Sequence, residues 1–124
     1  MPPRAAFTAD PHIKAAVIAA PALGYTFGRE GLAHVKVPIQ LWRAQADTVL
    51  PNPWYAEAVI DALPRPAEYF VVPDADHFDF LAPCSPALAK AAPEICRERP
   101  GFDRAKFHQM LEREMVRFFR EKLG

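Results

Sequence analysis

The sequence predicts a parallel α/β fold, and two observations carry the prediction. Short apolar runs alternate with segments of helical periodicity, in the order strand, short helix, strand, helix, strand, loop, helix. The prolines stand at the edges of these segments, as Pro21, Pro38, Pro51, Pro64, Pro73, Pro86 and Pro100 do, and so punctuate short elements. With 124 residues the chain suffices for one domain, 1–124, and hydrophobic residues at 51% supply a core for it.

The first element is "HIKAAVIAAPA" (12–22), a continuous apolar run ended by proline. Its composition suits a strand buried on both faces of a parallel sheet. "GYTFGREGLAHVK" (24–36) is broken by glycines and leaves room for one short helix around Arg29 to His34. "VPIQLWRAQAD" (37–47) is a second strand that turns polar at its carboxyl end. "NPWYAEAVIDALP" (52–64) reads as a helix capped by Asn52, with Pro53 in its first turn and Pro64 as its stop. "AEYFVVP" (67–73) is a third strand, aromatic and β-branched.

Past "PDADHFDFLAPCS" (73–85), "SPALAKAA" (85–92) is a short helix with Ser85 as N-cap. The chain closes with "GFDRAKFHQMLEREMVRFFREKLG" (101–124), a long helix capped by Asp103. Phe107, Leu111, Met115, Phe118 and Phe119 make its apolar face. Trp42 and Trp54 are assigned to the core; His12, His34 and His108 to the surface or a helix edge.

Lys+Arg and Asp+Glu balance at 15 each, which gives no electrostatic reason to expect nucleic acid or an anionic membrane as partner. No apolar run is long enough for a membrane helix. The opening "MPPRAAFTADPH" lacks the apolar stretch of a signal peptide. Cys84 and Cys96 lie close in one proline-punctuated stretch. A disulfide between them is expected, with two buried free thiols as the alternative, and it would suggest an oxidising compartment.

In a parallel sheet, functional groups gather just past the carboxyl ends of the strands. Asp47 follows the second strand directly and His77 follows the third within a few residues. A carboxylate and an imidazole so placed are the pair a general base and its orienting acid require. Two other readings of His77 stand beside this one: a solvated loop histidine, and a divalent-cation site with Asp74, Asp76 and Asp79. Four such side chains from one short loop rarely converge on one ion, so the cation site is disfavoured. Cys84 as a nucleophile is disfavoured by the carboxylates around it. Phe78 and Phe80 either anchor the histidine loop on the sheet or line an acyl pocket.

The stretch "VPIQLWRAQADTVLP", then a helix, then "AEYFVVPDADHFDFLAPC" resembles the C-terminal part of an α/β-hydrolase. It is most similar to the dienelactone-hydrolase-like group, which includes relatives akin to platelet-activating-factor acetylhydrolase. The resemblance implies a partial α/β-hydrolase fold of about three parallel strands with flanking helices and a long C-terminal helix. It makes Asp47 the triad acid and His77 the triad histidine, with a small ester or lactone as substrate and no cofactor or metal. Two departures matter. Asp74 and Asp76 stand where the group has small residues, and such carboxylates would favour a charged imidazole. No Gly-x-Ser-x-Gly elbow is present, and Ser85 is the only serine. The chain therefore reads as the C-terminal half of a serine hydrolase, carrying acid and base without the nucleophile. The alternative is a non-catalytic, self-associating domain derived from one. Either reading leaves the strand at 12–20 with a bare edge, so a homo-oligomer is expected.

Overall fold

The computed structural model describes residues 9–124. The signal-peptide reading rests largely on residues 1–8, which lie outside the described residues. Three parallel strands form one sheet in the order β1 (Ala16–Ala19), β2 (Ile39–Ala44) and β3 (Glu68–Val72). Five α-helices accompany them among the described residues: α1 (Arg29–Leu32), α2 (Ala56–Ala62), α3 (Pro86–Ala91), α4 (Pro93–Cys96) and α5 (Arg104–Leu123). The α/β class is therefore as expected.

β2 is the central strand, and its two faces make the two halves of the core. Side chains alternate across a strand, so Trp42 and Ala44 face one way while Ile39 and Leu41 face the other. Trp42 stacks on Phe70, its register partner on β3, with ring centroids 4.0 Å apart. Phe107 and Leu111 of α5 close over that face together with Val72 and Ala75. On the opposite face Ile39 and Leu41 pack against Ala56 and Val59 of α2. Each large apolar side chain sealed in this way contributes roughly 1.5–3 kcal/mol. Buried Gln40 is satisfied: its Oε1 accepts the Trp42 indole N–H at 2.8 Å and its Nε2 donates to Glu68 at 3.1 Å.

The caps at Ser85 and Asp103 form as the sequence indicates. Ser85 Oγ accepts from the Leu88 amide and Asp103 Oδ1 from the Lys106 amide. Phe107, Leu111 and Phe118 are the buried residues of the α5 apolar face; Met115 and Phe119 are half-buried.

Several expectations are corrected. β1 is shorter than the apolar run at 12–22. A turn from Asp10 to Ile13, in which the Asp10 carboxylate and carbonyl accept from the His12 and Ile13 amides, holds the start of the run out of the sheet. Ala20, at φ 44°, ends it. α2 begins later than Asn52: Tyr55 occupies its N-cap without a side-chain cap bond, and the Asn52–Pro53 bond is cis. Trp54 is not core. It lies in the turn before α2 and is 63% exposed. His108 is half-buried at the edge of α5, and its Nε2 lies 2.8 Å from the Asp79 carbonyl oxygen.

Candidate functional site

The loops after β2 and β3 leave the sheet side by side because the ladder continues past the strands. The Gln45 amide donates to the Val72 carbonyl and the Ala46 amide to the Ala75 carbonyl, both at 3.0 Å. The next residue on one loop is Asp47, and His77 lies two residues past Ala75 on the other.

The structure brings these two together. His77 Nδ1 lies 3.0 Å from Asp47 Oδ2. A carboxylate only accepts hydrogen bonds, so the shared proton sits on Nδ1 and the Nε2 lone pair points away from Asp47. The other oxygen, Asp47 Oδ1, accepts from the Val49 and Leu50 amides at 3.0 and 2.6 Å. These two bonds fix the carboxylate's plane from behind. The Asp47 side chain is 4% exposed and that of His77 21%. The carboxylate is thus sealed, while the imidazole keeps a path to solvent. This is the geometry in which a carboxylate sets the tautomer of a histidine and stabilises its cation.

The carboxylate of the neighbouring Asp76 is taken up by backbone amides and a hydroxyl. Asp76 caps the 3-10 turn His77–Phe80. Its Oδ1 accepts the His77 backbone amide at 2.7 Å and the Thr48 amide at 2.8 Å. The Thr48 hydroxyl lies 2.9 Å from both of its oxygens. Burial works against the charge of Asp76, but the Thr48 and His77 amides, the Thr48 hydroxyl and Arg99 outweigh it and hold its carboxyl below the usual range. Asp74 takes φ 60°, a left-handed conformation that Asp tolerates better than most residues. Its amide is held by Gln45 Oε1.

Asp79 is buried, and Arg104 occupies it. Asp79 Oδ1 lies 3.0 Å from Arg104 Nη2 and 3.1 Å from Nε, while Oδ2 accepts the Asp76 amide at 2.7 Å. Three of the four side chains of the disfavoured cation site are therefore engaged separately, His77 with Asp47, Asp76 with Thr48 and Asp79 with Arg104. Among the described residues no group of three or more His, Cys, Asp or Glu is arranged to hold a metal. Cys84 and Cys96 are joined by a disulfide, with Cα atoms 5.8 Å apart. Phe80 packs edge-on against Phe107 and anchors the histidine loop in the core; Phe78 lies edge-on to the His77 ring.

Sequence reasoning placed Asp47 and His77 within reach of each other but missed Thr48, Asp79, Arg104 and His108 around them. One signal was available. Asp76-His77-Phe78-Asp79 has the spacing of a capping box, in which residue and third neighbour bond each other's backbone. Arg104 carried no such signal, because an arginine beside a helix cap usually faces water.

No family model, curated protein or solved structure matches this chain. Among the described residues no helix is long and apolar enough to cross a membrane.

Proposed function

We propose that the chain is the acid–base portion of a serine ester or lactone hydrolase of the dienelactone-hydrolase-like kind. The observation that carries this reading is the His77 Nδ1–Asp47 Oδ2 contact of 3.0 Å at the carboxyl ends of neighbouring parallel strands. In this reading Nε2 of His77 takes the proton of a serine hydroxyl as that oxygen attacks the acyl carbon. His77 then returns the proton to the departing alkoxide, and Asp47 stabilises the imidazolium between the two steps. The substrate is a small ester or lactone, and the chemistry requires neither metal nor cofactor. The serine is supplied by polypeptide outside this sequence: Ser85 Oγ is a helix cap, and the Thr48 hydroxyl is bound to Asp76.

A second reading, a self-associating domain without catalysis, is favoured by that same lack of a nucleophile. Expression with and without the coding region upstream of Met1 separates the two, using short-chain p-nitrophenyl esters. The chain alone should be inactive. A joined frame carrying a Gly-x-Ser-x-Gly segment should be active, and Asp47→Asn should lower its kcat about 10⁴-fold. Activity of the joined protein that is indifferent to both His77→Ala and Asp47→Asn would remove the hydrolase reading.

A further inference from the structure

We propose that Asp76 and Thr48 form a clamp that positions His77 on Asp47, an inference that rests on reading those two residues as the acid–base pair. Thr48 follows Asp47 in the chain and Asp76 precedes His77. The clamp therefore joins the two loops at the positions next to the pair. A single carboxylate gathers the backbone amide of Thr48 at 2.8 Å, the backbone amide of His77 at 2.7 Å and the Thr48 hydroxyl at 2.9 Å. Charge-assisted bonds of this kind are about twice as strong as neutral ones.

The alternatives for positioning the ring are weaker. Ala46 to Ala75 and Asp74 to Gln45 tie the loops before the pair is reached, and neither touches the His77 backbone. Phe80 anchors the far end of the 3-10 turn. The clamp itself is braced, since the Asp76 amide donates to Asp79 and Asp79 is locked by Arg104. Asp76 is thus a positioning residue: it touches the backbone that carries the imidazole and leaves the ring to Asp47.

The test is proton and nitrogen NMR of the full chain, observing the His77 Nδ1–H resonance, assigned by its loss in Asp47→Ala. Asp76→Ala should abolish this resonance by exchange with water while far-UV circular dichroism stays native. Asp76→Asn, which keeps an oxygen facing both amides, should retain it. A resonance unchanged in Asp76→Ala overturns the clamp and leaves the acid–base pair standing. A native chain in which Asp47→Ala removes no imidazole resonance overturns the pair and the clamp with it. Should Asp76→Ala unfold, Thr48→Ala decides. Broadening of the resonance in a folded protein supports the clamp, an unchanged resonance overturns it, and Thr48→Ser should behave as the parent.

Discussion

Arg104 Nη2 lies 3.0 Å from Asp79 Oδ1, and the two side chains are 1% and 2% exposed. The guanidinium also donates to the Ile95 carbonyl at 3.0 Å and the Arg97 carbonyl at 3.4 Å. One cation thereby joins the start of α5, the disulfide-bonded segment and the loop of His77. Its planar fork serves three acceptors at once, which a lysine ammonium does not match.

Removing one partner of a buried pair strands the other, at a cost of about 3–5 kcal/mol. Arg104→Ala should lose stability in that range, and Arg104→Lys should recover only part of it. Urea denaturation at pH 7 measures both. A loss below about 1 kcal/mol for Arg104→Ala, the range of exposed pairs, would contradict the buried bridge.

This pair also marks where the sequence stops being legible. The strands and α5 were readable because apolar periodicity and proline punctuation are local properties. The meeting of Asp47 and His77 was readable because loops that follow neighbouring parallel strands leave the sheet at the same end. Arg104 meets Asp79 across 25 positions of sequence, and nothing local announces such a meeting. Trp54 misled for a related reason. An aromatic residue beside a helical segment suggests packing, yet α2 begins after it and its ring is left in solvent.

The Cys84–Cys96 disulfide closes a loop of sequence separation 12 beside the Arg104 cage. On a chain-entropy estimate it contributes about 3 kcal/mol. Thiol titration of the denatured, unreduced protein should find no free thiols. The double variant Cys84→Ala/Cys96→Ala should unfold at correspondingly lower urea. Two free thiols per chain in protein prepared without reductant would refute the bridge.

Asp76 and Glu68 together give the acid limb of stability a definite direction. Glu68 is held below its ordinary value of 4.5, chiefly by its hydrogen bond to Arg117, whose Nη2 lies 2.6 Å away. Asp76 is held below 3.8, since the bonds from Thr48 and His77 outweigh the opposing effect of burial. A carboxyl whose folded pKa is depressed stabilises the fold above its unfolded pKa, and that contribution is lost as pH falls through the folded value. Stability should therefore hold down to about pH 5 and decline below about pH 4.5. Asp76→Asn and Glu68→Gln should each flatten that decline. Urea midpoints between pH 2 and pH 6 test it, and an acid limb identical in both variants and the parent would show that these groups do not govern it.

The last expectation concerns the outer edge of β1. The Ala16 amide donates to Pro38 and the Ala20 amide to Trp42, so amides of even-numbered residues face β2. By the period of two, those of Val17 and Ala19 face away from the sheet. The strand reads AVIA and carries no charge, and Ala19 is exposed. Nothing on it discourages another strand from pairing. β3, at the other edge, is less inviting: Glu68 is bonded to Arg117, and the Tyr69 hydroxyl lies between Arg43 and Glu57. We propose that the chain self-associates through β1, and light scattering coupled to size exclusion should show a dimer or larger species at micromolar concentration. Val17→Lys is a poor probe, because Val17 packs against the Trp42 cluster and its loss would damage the core. Ala19→Pro removes an outward amide and leaves the ladder to β2 intact, as edge strands permit. It should yield a folded monomer. A parent that is already monomeric would dispose of the idea, and an oligomer that survives Ala19→Pro would move the interface off this edge.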